Sequence, residues 1–235
     1  VMGSAALLLL SACAVRDIVT LSPETAEATA QKIFFATQRD FDQLSNNFGE
    51  ERHEILLFGE ITVSIPPNHE PGRIELRSAT PDPARDFAVT AITPIESIGA
   101  FVADVQARQR DLPNETLVFI HGFNTTGAQA VFRLAQIQED FGLEDPSVLF
   151  TWPSAARSTG YVYDRDSVLF ARDDLVKVLT ALTQGGHTVT IAAHSMGSHL
   201  TMEALRQARL TGNDRLLSRI SGVVLMSPDI DIDVF

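Results

Sequence analysis

Apolar and polar positions alternate in short runs along the first half of the chain, as is typical of half-buried β-strands. Such runs occupy residues 33–37, 55–59, 61–65 and 87–92, with a polar segment between the first two. Residues 97–110 instead repeat apolar side chains at helical spacing. We therefore expect mostly antiparallel strands and one amphipathic helix over residues 31–113.

From residue 114 onward, strand and helix patterns alternate regularly. The predicted strands are 116–120, 147–151, 188–192 and 222–226, and the predicted helices are 127–141, 167–183, 196–210 and a short one over 213–219. This alternation is the signature of a parallel sheet with crossover helices. Residues 114–235 are thus expected to form the parallel core of one α/β domain over residues 31–235.

The composition fits such a domain. Hydrophobic residues make up 45% and charged residues 20% of the 235 positions, which is enough for one sizeable core. The formal net charge of −12 argues against nucleic acid or an anionic bilayer as a direct electrostatic partner. Because neither metal-ligand spacing nor a phosphate-binding glycine-rich loop occurs in the sequence, no metal and no other cofactor is expected.

The single cysteine, Cys13, follows a short apolar run and the sequence Leu10-Ser11-Ala12. This order resembles the lipobox of bacterial lipoproteins, and the apolar run is too short to span a bilayer. The resemblance implies a signal peptide over residues 1–12, a lipidated Cys13, a tether over residues 13–30 and anchorage in a bacterial cell envelope. A free cysteine in a frayed N-terminus is the alternative.

The strongest chemical signal is Ala193-His194-Ser195-Met196-Gly197. It lies between a predicted strand and a predicted helix, and it matches the G-x-S-x-G nucleophile elbow with alanine in the first glycine position. Only small residues two before and two after the serine can pass each other in so sharp a turn. Ser195 is therefore the candidate nucleophile, and an ordinary loop after a strand is the alternative.

A second motif, His121-Gly122-Phe123-Asn124, follows the first parallel strand. In this order the two motifs resemble the α/β-hydrolase fold, in which the loop upstream of the elbow supplies a backbone amide to the oxyanion hole. By position, the resemblance assigns the two oxyanion-hole amides to Phe123 and Met196. Two such amides lower the barrier by roughly 3 kcal/mol each.

Further segments resemble, in the same order, a bacterial α/β-hydrolase family often described as esterases of unknown function. They are residues 34–39, 63–69, 150–154, 160–164 and 227–231. The resemblance implies a serine hydrolase acting on a small carboxylic ester. A non-catalytic, membrane-anchored binding or scaffold protein on the same fold, and an amidase or acyltransferase using the same serine, remain alternatives.

Asp229 is the best candidate for the acid of a catalytic triad, with Asp231 or an acid further on as alternatives. It follows an apolar strand at the carboxyl edge, where catalytic groups of α/β sheets gather, although a loop-capping role is equally compatible with its position. In the chain order serine, acid, histidine, the base should follow Asp229, yet no histidine follows His199. We therefore expect a C-terminally truncated sequence, with C-terminal strands and the base beyond Phe235, or else an incomplete, non-catalytic relative.

The histidines within the sequence are expected to be structural. His121 is favoured to fix its own loop, His194 to support the elbow, and His199 is disfavoured as a base because an elbow serine points away from its own helix. His53, His69 and His187 are expected to be structural or exposed. Three aromatic residues expected in the loop after the second parallel strand are candidates for lining a pocket or for packing: Trp152, Tyr161 and Tyr163.

Overall fold

The computed structural model describes residues 20–42, 47–77, 80–109, 114–143, 145 and 147–233. Its strands are β1 Thr29–Asp42, β2 Asn47–Ile65, β3 Ala88–Ile95, β4 Glu115–Ile120, β5 Ser147–Thr151, β6 Thr188–His194 and β7 Ile220–Met226. Its α-helices are α1 Ile98–Ala107, α2 Gly127–Phe141, α3 Tyr161–Leu182, α4 Met196–Leu210 and α5 Asp214–Leu217. Cys13 and the predicted signal peptide, residues 1–12, lie outside the described residues.

The strands of the described residues form one mixed sheet in the order β3-β2-β1-β5-β4-β6-β7. β1 to β3 pair antiparallel, as predicted, whereas β5, β4, β6 and β7 pair parallel. The two halves meet where β1 pairs parallel with β5, so the N-terminal strands extend the same sheet. The carboxyl ends of β4, β5, β6 and β7 therefore lie at one edge, where the candidate chemistry is found.

Helices cover both faces of this sheet, as expected. α1, α3 and α4 contribute to a core on one face around Phe34, Phe150 and Leu175. α2 packs on the other face against β1, β2 and β5, around Phe35 and Phe119. Burial of these side chains, at roughly 25 cal/mol per Å² of apolar surface, is the main stabilising term for the sheet.

In the polar segment predicted between the first two strands, the described residues 38–42 and 47–54 are themselves strand. β1 and β2 continue as a two-stranded ribbon in which Phe41 pairs with Phe48. The Phe48 ring packs against Phe35 and Phe41, and a methyl group added at Gly127 would lie 2.3 Å from its Cβ. The prediction failed because the exposed faces of the ribbon carry charged residues, and they obscure the alternation around Phe48.

Two other boundaries differ from the predictions. Within the expected tether, residues 13–30, Leu21 bridges to Val89 and the Ser22 amide donates to the Val89 carbonyl oxygen over 2.9 Å, while β1 begins at Thr29. This described part of the segment is thus paired with the sheet. α3 begins at Tyr161, so Tyr161 and Tyr163 lie in its first turn and not in a loop.

Among the described helices, none combines the length and the apolar character that crossing a membrane requires.

Candidate active site

Ser195 occupies a strained turn between β6 and α4. Its backbone angles, φ 51° and ψ −121°, lie in a region that favours glycine, and such a conformation costs on the order of 1–3 kcal/mol. Neighbouring main chain holds it there, because the Ser195 amide donates to the Met226 carbonyl oxygen over 2.9 Å and the Ser198 amide donates to the Ser195 carbonyl oxygen over 2.9 Å. The turn predicted from the spacing of the motif is present in the structure.

Two glycines allow the main chain to pack closely around Ser195. A methyl group on Gly197 would lie 2.4 Å from the His121 carbonyl oxygen and 2.6 Å from that of Ile120, so α4 rests directly on the end of β4. A methyl group on Gly122 would lie 2.9 Å from the Ser195 Cβ. The His121-Gly122 motif and the elbow are therefore in direct contact, although they are distant in sequence.

The candidate oxyanion donors lie on either side of this contact. Met196 is the first residue of α4, where an amide has no partner within its own helix. Phe123 follows Gly122 in the segment that we call the oxyanion loop, residues 121–125. The peptide between Gly122 and Phe123 is oriented by the His121 ring, whose Nδ1–H donates to the Gly122 carbonyl oxygen over 2.9 Å.

Asp229 lies beside the elbow, in the loop after β7. Its amide donates to the Ser195 carbonyl oxygen over 3.2 Å, and its Oδ2 accepts a hydrogen bond of 2.9 Å from the Tyr161 hydroxyl. This bond to a carboxylate is the main cause that raises the pKa of Tyr161 above its ordinary value. Tyr161 also packs the edge of its ring against Phe123, with centroids 5.3 Å apart, and so connects the acid to the oxyanion loop.

An open cleft of about 430 Å³ extends from these groups between α3 and α4. Its polar lining includes Tyr161, Arg165, His199, Glu203 and Asp229. The cleft thus presents both signs of charge beside Asp229, whereas Ser195 is not among its lining residues. Among the described residues, the Ser195 hydroxyl has no hydrogen-bond partner, and His199, although it lines the cleft, makes no hydrogen bond to it.

The His121 side chain is buried behind the main chain of the oxyanion loop, of which His121 is the first residue. Its ring stacks on Trp152 at 4.9 Å between centroids, and the Trp152 Nε1–H donates to the His121 carbonyl oxygen over 2.9 Å. Burial, reinforced by the nearby Arg39 cation, lowers the pKa of His121 to about 3, so the ring is neutral. Nε2 lies 3.1 Å from both the Thr151 hydroxyl and the Trp152 carbonyl oxygen. We assign the ring proton to Nδ1, because Arg39 and Thr151 both present donors to Nε2.

Arg39 is a fully buried cation next to this histidine. Its guanidinium donates to the carbonyl oxygens of Thr125, Gly49 and Ser154 at 2.7, 3.1 and 3.2 Å, and its Nε–H donates to the Thr151 hydroxyl at 2.9 Å. Burial lowers the pKa of Arg39 to about 10, which leaves it charged at neutral pH. The side chain therefore ties the end of β1 to three separate segments.

Asp164 is the buried anion of the same region, in the first turn of α3. Its carboxylate accepts hydrogen bonds from the Ser154 hydroxyl and the Ala155 amide, both at 2.6 Å, and from the Asn124 amide at 3.3 Å. Ser154 joins the two charges, because its carbonyl oxygen accepts from Arg39 and its hydroxyl donates to Asp164.

The sequence did not single out Arg39, Ser154 or Asp164, although a signal was present. Arg39 lies in residues 34–39, Ser154 in residues 150–154 and Asp164 in residues 160–164, three of the segments noted for their resemblance to esterases. The structure brings all three segments together behind the oxyanion loop. Trp152 is fully buried and packs, whereas Tyr161 lines the cleft.

His69 takes part in a separate cluster on the face that α2 covers. Its Nδ1 and Nε2 each lie 2.9 Å from a carboxylate oxygen, of Glu75 and Asp140 respectively. Burial lowers the pKa of His69, but the hydrogen bonds to Glu75 and Asp140 outweigh it, so the pKa is raised overall. Burial raises the pKa of both carboxyl groups, but hydrogen bonds outweigh it and lower the pKa overall: chiefly the bond from His69 for Glu75, and the bonds from the Gly72 amide and His69 for Asp140. His69 thus fastens the segment after β2 to the last turns of α2.

Within the described residues, no group of three or more histidine, cysteine, aspartate or glutamate side chains is arranged to hold a metal ion.

A family model described as an α/β hydrolase of unknown function (DUF900) matches residues 100–235, which is more than half of the chain. Neither the curated proteins nor the solved structures gave a match. The family match, together with the mixed sheet covered by helices on both faces, confirms the expected α/β-hydrolase fold.

Proposed function

Since the chain belongs to the DUF900 family of α/β hydrolases, we propose that it is a serine hydrolase that cleaves carboxylic esters with Ser195 as its nucleophile. The observation that carries this proposal is the backbone of Ser195, which is held at φ 51° between the oxyanion loop and the first turn of α4. A protein retains local strain of this kind where the strained residue has a role beyond stability.

In the proposed reaction, the Ser195 Oγ attacks the carbonyl carbon of the ester. Negative charge collects on the carbonyl oxygen, where the amides of Phe123 and Met196 stabilise it. The alcohol leaves with the proton that Ser195 gave up, and water then hydrolyses the acyl-enzyme to release the carboxylic acid and restore the serine. Asp229 is assigned the orientation of the catalytic histidine. Among the described residues, no histidine makes a hydrogen bond to the Ser195 hydroxyl or to the Asp229 carboxylate.

A fluorophosphonate probe tests the nucleophile directly in the full-length protein. We expect the wild-type protein to be labelled on Ser195 and Ser195→Ala to lose labelling, because the probe reacts with an activated serine hydroxyl. Ser218→Ala, an exposed serine after α5, provides the matched control and should be labelled like the wild type. A folded wild-type protein that resists the probe would favour the scaffold alternative.

Matched ester and amide substrates test the reaction class. Hydrolysis of a p-nitrophenyl ester at least a hundredfold faster than that of the corresponding anilide is the expected result for an esterase. Equal rates would assign the protein to the amidases, and transfer of the acyl group to an added alcohol in preference to water would assign it to the acyltransferases.

We also propose that Cys13 is lipidated and anchors the protein to a bacterial membrane, on the support of Leu10-Ser11-Ala12-Cys13 and the apolar run before it. Labelled palmitate fed to expressing cells should enter the wild-type protein and not Cys13→Ser. Incorporation that survives this substitution would contradict the anchor.

A further inference from the structure

We propose that Arg39 and Asp164 are positioning residues that hold the oxyanion loop at the geometry that Ser195 requires. Neither side chain touches the place where a substrate carbonyl would lie, so both act through the main chain of residues 121–125. The inference rests on the proposed serine hydrolase function, and it identifies the residues that keep the proposed oxyanion hole in place.

The main chain of the oxyanion loop is held by groups from outside the loop. The Asn124 amide donates to Asp164, the Thr125 amide donates to the Ser154 hydroxyl over 3.2 Å, and the Thr125 carbonyl oxygen accepts from Arg39. Asn124 itself has a φ of 53°, which a non-glycine residue rarely adopts without such support. The next residue after the loop, Thr126, caps α2 with a reciprocal capping box.

Arg39 also acts on the peptide that contains the Phe123 amide. Its Nε–H donates to the Thr151 hydroxyl, and both this hydroxyl and the guanidinium present a donor to the His121 Nε2, which favours the tautomer with the proton on Nδ1. The His121 Nδ1–H is then directed to the Gly122 carbonyl oxygen. In a trans peptide this oxygen and the Phe123 N–H point in opposite directions, so fixing one aims the other.

Stability alone does not account for two buried charges in this region. Arg39 and Asp164 are both 0% exposed, and they are linked through Ser154 without a direct ion pair. Removing a charged side chain from water is energetically unfavourable, and apolar side chains of similar volume often stabilise a core equally well. What the charges provide is a set of directed hydrogen bonds that converge on one loop, and this favours a positioning role.

Asp164→Asn tests the inference with little change in shape. The amide group places an N–H₂ where the carboxylate accepts from Ser154, Ala155 and Asn124, so at least one of these donors loses its acceptor. Ser154→Ala is the milder second variant, since it keeps both charges and removes only the hydroxyl between Thr125 and Asp164. Asp174→Asn is the matched control: this carboxylate lies on the same helix and accepts from Gln38, not from the oxyanion loop.

On a p-nitrophenyl ester, we expect kcat to fall on the order of tenfold to a hundredfold in Asp164→Asn and about tenfold in Ser154→Ala, with KM changing less than about threefold. The affinity for a boronic acid, which forms a tetrahedral adduct with the serine, should fall in parallel with kcat/KM. Asp174→Asn should leave kcat and this affinity at wild-type values. A lower melting temperature with unchanged kcat and boronate affinity would overturn the inference and leave the two charges a purely structural role.

Amide hydrogen exchange separates this inference from the proposed function, because it requires no turnover. Exchange in residues 121–125 should accelerate at least tenfold in Asp164→Asn and remain at the wild-type rate in Asp174→Asn. Unchanged exchange would overturn the inference, even for an active hydrolase. A wild-type protein that resists the fluorophosphonate probe would instead overturn the proposed function, and with it the positioning role given to these two residues.

Discussion

The amide of Asp229 donates a hydrogen bond of 3.2 Å to the carbonyl oxygen of Ser195, so the loop after β7 is joined to the elbow through main chain alone. A substitution at residue 229 that keeps the loop intact therefore leaves this connection in place. The carboxylate of Asp229 is engaged separately, by the Tyr161 hydroxyl. The two roles of residue 229, in the structure of the loop and in the proposed chemistry, can thus be tested apart.

In the proposed mechanism, Asp229→Asn should lower kcat by on the order of 10²- to 10⁴-fold with little loss of stability, since it would remove the charge that orients the catalytic histidine and keep the main-chain bond. Tyr161→Phe should lower kcat only a few-fold, because it removes one hydrogen bond and leaves the Asp229 side chain in place. Steady-state kinetics and thermal unfolding of both variants check these expectations. If Asp231→Asn lost activity while Asp229→Asn kept it, the acid would be Asp231.

Ser195→Gly should be more stable than Ser195→Ala by roughly 1 kcal/mol, although both lack the proposed nucleophile. Alanine retains the cost of the positive φ angle, whereas glycine adopts it freely. Urea denaturation of the two proteins measures the difference. Ser221→Gly, in β7 at a residue without a positive φ, is the control and should lower stability by roughly 0.5–1 kcal/mol. Equal stability of the two Ser195 variants would argue against strain at the elbow.

Gly197→Ala should destabilise the protein by about 3 kcal/mol or more, because the added methyl group meets the carbonyl oxygens of Ile120 and His121, which are backbone atoms of a buried strand end. Gly99→Ala provides the contrast. Its added methyl group meets nothing closer than 4.0 Å on α1, so it should stabilise the protein by up to about 1 kcal/mol. The free energies of unfolding of the two variants, measured by urea denaturation, test both expectations. If Gly197→Ala leaves the stability unchanged, α4 can move away from β4.

Stability should depend on pH through His69 and its two carboxylates. The raised pKa of His69 contributes stability that is complete below its ordinary value of 6.5 and is lost as pH rises through the folded value. The lowered pKa values of Glu75 and Asp140 contribute stability above their ordinary values of 4.5 and 3.8, and this is lost as pH falls. The cluster therefore stabilises the fold most between about pH 4.5 and 6.5.

His69→Gln should remove about 1–2 kcal/mol within this window and less once the pH has risen through the raised pKa of His69, as expected for hydrogen bonds between charged partners. Unfolding free energies measured at pH 5.5 and pH 9.5 give the comparison. His53→Gln is the matched control, because the hydrogen bond of His53 within the described residues is to a carbonyl oxygen of its own strand, and its effect should be small at both pH values. An equal loss for His69→Gln at the two pH values would contradict the ionic role of the cluster.

The sequence predicted the parts of the site whose signal is local. The elbow at Ser195 and the motif at Gly122 were identified because each places small and polar residues at fixed spacing after an apolar strand. The supports at Arg39 and Asp164 could not be found in this way, since a buried charge has no periodic pattern and its partners lie far along the chain. Phe48 was missed for a related reason, because one aromatic side chain among charged neighbours does not indicate a strand.

The place of β1 in the sheet constrains how the chain can fold. β1 pairs on one side with β2, its neighbour in sequence, and on the other side with β5. Thr37 of β1 thus pairs with Thr151, which lies 114 residues further along the chain. Bringing together residues so far apart in sequence costs loop-closure entropy before the strand pairing stabilises the fold. Such contacts therefore slow folding. During synthesis the apolar edge of β1 stays open until β5 has left the ribosome. Until then the N-terminal strands present an unpaired strand edge that can associate with other chains.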